Sequence, residues 1–113
     1  MILQRLALRA ALACLVLANA PARADIASFY ASGHRTANGE AFRPDGLTAA
    51  HRSLSFGTWV RVTRAATGRS VVVRINDRGP FVAGRSIDLA RGAARRLGMI
   101  GAGTARVGLA VIR

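Results

Sequence analysis

Ser70-Val71-Val72-Val73-Arg74-Ile75-Asn76-Asp77-Arg78-Gly79-Pro80-Phe81 is the stretch on which the fold turns. Ser70 to Asn76 alternates, with Val71, Val73 and Ile75 facing inward while Arg74 and Asn76 point away, the two-residue period of a half-buried strand. The strand then delivers Asp77 into a Gly-Pro turn, where a side chain can be held rigidly at a cleft edge. Upstream, Trp59 to Arg64 alternates in the same way, Val60 and Val62 against Arg61 and Thr63. Between the two, Ala65-Ala66-Thr67-Gly68-Arg69 has the length and the glycine of a hairpin loop. Ile26 to Tyr30, Leu47 to Ala50 and Thr104 to Arg113 read as further strands, the last with Val107, Leu109 and Val111 on one side. One helix is predicted from Leu89 to Leu97. Leu89, Ala93 and Leu97 recur at four-residue spacing, Arg91 and Arg95 face away, and Gly98 stands where a helix C-terminal glycine belongs.

The chain has 113 residues, enough for one domain, and 51% of them are hydrophobic, which argues against intrinsic disorder. All 17 basic residues are arginine, set against five acids, for a net charge of +12. Met1 to Ala24 has the layout of a secretory signal peptide: Arg5 and Arg9, an apolar run from Ala10 to Ala18, then small residues ending in Ala22-Arg23-Ala24. The same arginines interrupt any run of the roughly 18 apolar residues that a membrane span needs. Cleavage after Ala24 leaves 89 residues, Asp25 to Arg113, with 14 arginines against five acids. Cys14, the one cysteine, lies in the leader. Ala13 before it would suit a lipid anchor, but the apolar run continues past it through Leu15-Val16-Leu17. A mature chain of this size without thiols buries only about 60–65% of its unfolded surface. A closed barrel is an economical solution, because it leaves no open sheet edge.

The search for chemistry is short. His34 and His51 show no zinc-ligand pattern, no Gly-x-Ser-x-Gly nucleophile elbow occurs, and there is no phosphate-cradling Gly-x-x-x-x-Gly-Lys. No metal and no cofactor are expected, and carboxylate acid–base chemistry remains. Two clusters carry it. One is Thr36-Ala37-Asn38-Gly39-Glu40 followed by Leu47-Thr48-Ala49-Ala50-His51. The other is Asn76-Asp77-Arg78-Gly79-Pro80-Phe81 followed by Gly84-Arg85-Ser86-Ile87-Asp88-Leu89. Asp88, between two apolar residues, should point its carboxylate opposite to them.

Together, in this order and at this spacing, these motifs resemble the rare lipoprotein A family of bacterial cell-wall proteins, over Ala27 to about Met99. The resemblance implies a mainly β fold, a six-stranded double-psi β-barrel with one or two short helices. It also implies a lyase, a lytic transglycosylase acting on peptidoglycan glycan strands, in which the residues matching Glu40, His51 and Asp77 carry activity. Arg78, Thr48, Asp88 and Asn38, in or beside the same motifs, are then expected at the saccharide. The chain departs from the pattern in Phe29-Tyr30-Ala31, in a short Ser32 to Arg35 loop, and at Ala90, where a serine often caps the helix. The carboxy-terminal glycan-binding module of many members is not expected after the barrel, and septal targeting is not expected with it.

A lytic transglycosylase needs a general acid that protonates the glycosidic oxygen. The same group then serves as base for the muramoyl C6 hydroxyl, which closes a 1,6-anhydro ring without water, unlike an inverting hydrolase. Asp77 is the expected acid and Glu40 its rival or an electrostatic partner. His51 is expected to orient a carboxylate or bind a sugar. Plainer roles stay open: a turn residue for Asp77, a solvated loop side chain for Glu40, and a structural bond to backbone or Arg85 for Asp88. Trp59 and Phe81 could stack on sugar faces, but core packing is the expectation for both. An ion pair from Arg78 would keep Asp77 charged and so work against it as an acid. The basic mature domain suits an anionic wall. Export and the absence of a recognition helix or stacking motif argue against nucleic acid. The expectation is a monomer in the periplasm or cell envelope, not inserted in the membrane after leader cleavage. The alternative is a non-catalytic, expansin-like wall-binding or wall-loosening module.

Overall fold

The computed structural model describes residues 25–113; the expected leader, with Cys14, lies outside the described residues. Six strands follow one another as β1 (Asp25–Tyr30), β2 (Thr48–His51), β3 (Trp59–Arg64), β4 (Ser70–Asp77), β5 (Ile87–Ala90) and β6 (Ala105–Val111). A short helix, α1 (Arg91–Arg96), lies between the last two. The strands close into a barrel in the order β1-β5-β2-β4-β3-β6. Two pairs are parallel, β1 with β5 and β2 with β4, and the remaining four are antiparallel. The double-psi barrel implied by the resemblance is the fold that forms.

The alternating stretches become strands because their apolar faces meet inside the barrel. Val60, Val62, Val73, Ile75, Ile87 and Leu89 are fully buried there, each contributing about 1.5–3 kcal/mol relative to exposure. The hairpin forms as read: Arg64 N–H bonds Arg69 O at 2.8 Å, and Gly68 takes a φ of +75°, which a glycine adopts without steric penalty.

The helix differs from the expectation. Leu89 and Ala90 belong to β5, and α1 begins only at Arg91. Leu89, Ala93 and Leu97 are all fully buried, but Leu89 reaches the core from a strand. Ala90 is the N-cap and offers no side-chain bond to the helix. At the other end Gly98 turns left-handed at φ +69°, and Arg64 Nη1 donates to the carbonyls of Leu97 and Gly98 at 3.2 and 3.0 Å. This supplies the cationic capping that a helix C-terminus favours.

Gly92 lets α1 lie directly on the loop after Phe42. Its N–H bonds Pro44 O at 2.8 Å, and a methyl group there would fall within 2.8 Å of Asp45 Cα and closer still to its carbonyl. Asp45 in turn accepts from Arg91 at 3.1 Å and Arg95 at 3.4 Å. The helix thus sets the position of a loop that borders the site.

Candidate active site

A bulge in β4 creates the site. Ala49 of β2 faces Ile75, whereas Ala50 faces Asp77, so Asn76 is the extra residue. Strict alternation would send Asp77 inward with Val73 and Ile75. The bulge takes Asp77 out of the inward row, as an inserted residue does, while Asn76, expected to point away, is buried at 2% exposure with its Nδ2 3.4 Å from Glu40 Oε2. On the other side of β2, Ala50 also pairs with Asp88, and Asp88 pairs with Ser28 of β1. Ser28, Asp88, Ala50 and Asp77 therefore form one row across four adjacent strands, with Tyr30 two residues further along β1.

Asp77 is held by three donors. Its Oδ1 accepts the backbone N–H groups of Ala37 at 2.8 Å and Arg78 at 2.9 Å, and its Oδ2 accepts the Tyr30 hydroxyl at 2.9 Å. Among the described residues it forms no ion pair. Arg78, its chain neighbour, instead donates to His51 O at 3.1 Å and Leu54 O at 2.7 Å, with its guanidinium 3.9 Å from the centre of the Phe56 ring. It braces the loop between β2 and β3, and the ion pair that would have opposed an acidic role does not form.

Glu40 has the opposite surroundings. Arg74, an outward residue of β4, grips its carboxylate at 2.6 and 2.8 Å, and Asn38 Nδ2 adds a bond at 2.7 Å. These donors push the Glu40 pKa down from the usual 4.5 to about 2. The turn that carries it is self-bonded: Asn38 Oδ1 accepts from Thr36 Oγ1 at 2.6 Å and from Glu40 N at 3.1 Å. The same turn supplies the Ala37 N–H to Asp77, so one loop ties the two carboxylates together.

Asp88 accepts from Ser28 Oγ at 3.1 Å, not from Arg85, and Ile87 and Leu89 beside it point inward as expected. Burial first, and the nearby Asp77 charge to a lesser degree, raise its pKa above the usual carboxylate value. Tyr30 is pushed well above the ordinary phenol value by burial and then by its bond to Asp77, so its proton stays on at neutral pH. Phe42 stacks on it, ring centres 4.6 Å apart and planes 10° from parallel. Beyond Phe42 opens a concavity of about 500 Å³, lined also by Arg43, Pro44, Asp45 and Gly46.

A family model described as "Lytic transglycolase" matches residues 22–109. The chain belongs to this family. Among curated relatives, the "Probable endolytic peptidoglycan transglycosylase RlpA" of Nostoc sp. is 63% identical over 92 residues, covering 77% of this chain and 25% of the relative. The "Endolytic peptidoglycan transglycosylase RlpA" of Pseudomonas aeruginosa is 51% identical over 84 residues, covering 72% and 25%. The chain thus spans about a quarter of the length of these two relatives. Among solved structures, the "Streptomyces papain inhibitor (SPI)" aligns with a TM-score of 0.68 at 18% identity, covering 80% of this chain and 94% of that one. A Clavibacter michiganensis expansin, solved in complex with cellohexaose, aligns at 0.64 and 22%, covering 80% and 50%. At these identities the two structures share the fold.

Seen in this family barrel, the residues picked out from sequence fall into two groups. Asp77, Glu40, Asn38 and Asp88 come together through the row and the turn just described. Thr48 pairs with Arg74 and joins them on the outer face of β2. His51 stands at the end of β2 without a bond to either carboxylate. Its Nδ1 accepts the N–H groups of Ser53 and Leu54 at 3.1 and 3.0 Å. Burial, with Arg52 and Arg78 nearby, lowers its pKa below the usual 6.5, so it is neutral and carries its proton on Nε2. Among the described residues no three His, Cys, Asp or Glu side chains come together as a metal site requires. Phe81, just after the Gly79-Pro80 turn, is 82% exposed, so its expected core packing is wrong. Trp59 is half-buried and outside the core cluster. The sequence reading missed Tyr30 and Arg74 as site residues. Their shared signal was alternation, since each occupies an outward position of its strand.

Proposed function

We propose that the barrel is a lytic transglycosylase that cleaves peptidoglycan glycan strands, with Asp77 as acid and then base. The observation that carries this reading is the contrast between two carboxylates held by one turn: Glu40 is paired with Arg74, and among the described residues Asp77 forms no ion pair. Glu40 has no proton to give at neutral pH and stabilises positive charge developing at the sugar C1. Asp77 gives its proton to the glycosidic oxygen, and its three donors stabilise the charge it acquires, being already in place when that charge develops. The carboxylate then takes the proton of the C6 hydroxyl as that oxygen closes the anhydro ring. His51 presents its Nε2–H to the saccharide, and Thr48 and Asn38 border it. Arg78 and Asp88 hold the frame. The relatives named peptidoglycan transglycosylases support the substrate.

The chain is read as exported by its leader, Met1 to Ala24, and as acting as a monomeric barrel, Asp25 to Arg113, in the periplasm or cell envelope. Among the described residues no helix is long and apolar enough to cross a membrane. The test is to incubate the purified chain with glycan strands stripped of stem peptides and to seek anhydro-muramoyl ends by mass spectrometry. Such ends should form, and Asp77→Asn should reduce their rate by about 10²–10⁴-fold. Full activity in that variant would refute the assignment. The second reading, a non-catalytic module of expansin type, draws on the cellohexaose-bound expansin of the same fold and on the exposed Phe81 ring. It predicts binding to glycan strands without anhydro ends.

A further inference from the structure

The two oxygens of Asp77 are not equivalent. Oδ1 accepts two backbone N–H groups, from Ala37 and Arg78, which use both of its lone pairs in the carboxylate plane. Among the described residues Oδ2 has a single partner, the Tyr30 hydroxyl, which leaves one lone pair for another group. Tyr30 is itself braced by the parallel ring of Phe42, and Phe42 N bonds His34 O at 2.9 Å, so the loop that brings Ala37 to Oδ1 also fixes the phenol at Oδ2. The other charged or titratable groups around the pair are Asp88 on β5, His51 at the end of β2, Glu40 on the turn and Arg78. Among the described residues none of these side chains donates a hydrogen bond to Asp77.

The geometry points to Oδ2 as the oxygen that carries the transferred proton, and to Tyr30 as the residue that positions it. This deepens the reading of Asp77 as the acid and rests on it. In the first half of the reaction the Oδ2–H bond breaks, the glycosidic oxygen gains the proton, and its bond to C1 breaks. In the second half the C6 hydroxyl loses its proton to Oδ2 while its oxygen bonds to C1. Asp77 ends as it began, and Tyr30 keeps its own proton throughout. The phenol turns its hydrogen toward Oδ2 when that oxygen is charged, and so supports the carboxylate form alone.

Tyr30→Phe keeps the ring and its stacking and removes only this bond. With aspartate labelled in the side-chain carbonyl carbon, Asp77 in Tyr30→Phe should titrate at a midpoint about one pH unit higher than in the unsubstituted chain. That is the scale of one hydrogen bond to a charged group. The high-pH limb of kcat/KM should move by the same amount, with KM little changed. Tyr30 is the one tyrosine of the chain, so its Cζ gives a single resonance, which should step at the pH where Asp77 titrates. This second measurement needs no variant and decides the matter if Tyr30→Phe does not fold. An active chain with unmoved midpoint and pH limb, or with a flat Cζ signal, overturns the assignment. A chain that yields no anhydro ends overturns the underlying reading of Asp77, and the assignment with it.

Discussion

Replacing Gly92 with alanine tests whether the site depends on the seat of α1. The added methyl would overlap the Asp45 backbone, reaching within 2.8 Å of its Cα. Backbone atoms cannot swing aside as a flexible side-chain tip does, so the loop after Phe42 must retreat. That retreat breaks the 2.8 Å bond from Gly92 N–H to Pro44 O, a loss of about 1 kcal/mol. Overpacking strain adds about 1–3 kcal/mol, while alanine recovers about 1 kcal/mol of helix propensity. The net is a destabilisation of about 2 kcal/mol. For a domain of this size 1 kcal/mol moves Tm by about 4–8 °C, so thermal unfolding followed by far-ultraviolet circular dichroism should show a fall of about 8–16 °C. Gly101→Ala is the control, since nothing lies within 4 Å of the added methyl. It should leave Tm within a degree or two, about what a surface substitution does. A Gly92→Ala chain that melts with the control would refute the seat, and with it the claim that the helix positions the Phe42 loop.

Glu40→Gln should be less stable than the unsubstituted chain at pH 6. Because the folded Glu40 pKa is depressed to about 2, that difference is complete above the usual 4.5 and vanishes as pH falls through about 2, a trend that melting curves across pH would trace. Asp88 has the opposite sign. Its folded pKa is raised, so its contribution to stability falls as pH rises above the ordinary carboxylate range, and Asp88→Asn should melt at or above the unsubstituted chain at pH 7. The gap should close near pH 3, where both states are protonated, and a variant that melts lower at pH 7 would contradict the burial cost. Phe81→Ala, at an 82% exposed position, should leave Tm unchanged while weakening glycan-strand binding in a pull-down, a loss that an idle surface ring would not produce.

The strands were legible because alternation reports burial directly. The β3–β4 hairpin and the inward set Val71, Val73 and Ile75 stand where the periodicity put them. The start of the helix was not legible. Leu89, Ala93 and Leu97 meet in one core from two different elements, and a four-residue spacing cannot tell a helix face from a strand that hands over to a helix. At the candidate site the sequence marked side chains to consider more readily than where they point. Asp77 was marked by its strand and turn, but its outward aim depends on a bulge opposite Ala49 and Ala50, a partner strand more than twenty residues away in sequence. Arg78 was expected at the saccharide, yet its guanidinium is taken up by two carbonyls of the β2–β3 loop. Tyr30 escaped notice because its partner is forty-seven residues away, and no local pattern encodes that meeting.

The row of outward residues that ends at Asp77 draws on β1, β5, β2 and β4, none of which adjoins its row neighbour in the chain. A hairpin of two consecutive strands therefore does not contain the row. Under the proposed function, catalytic competence therefore requires all four of these strands to be paired. On the proposed reading, a nascent or damaged copy is harmless to the polymer that the finished one cuts.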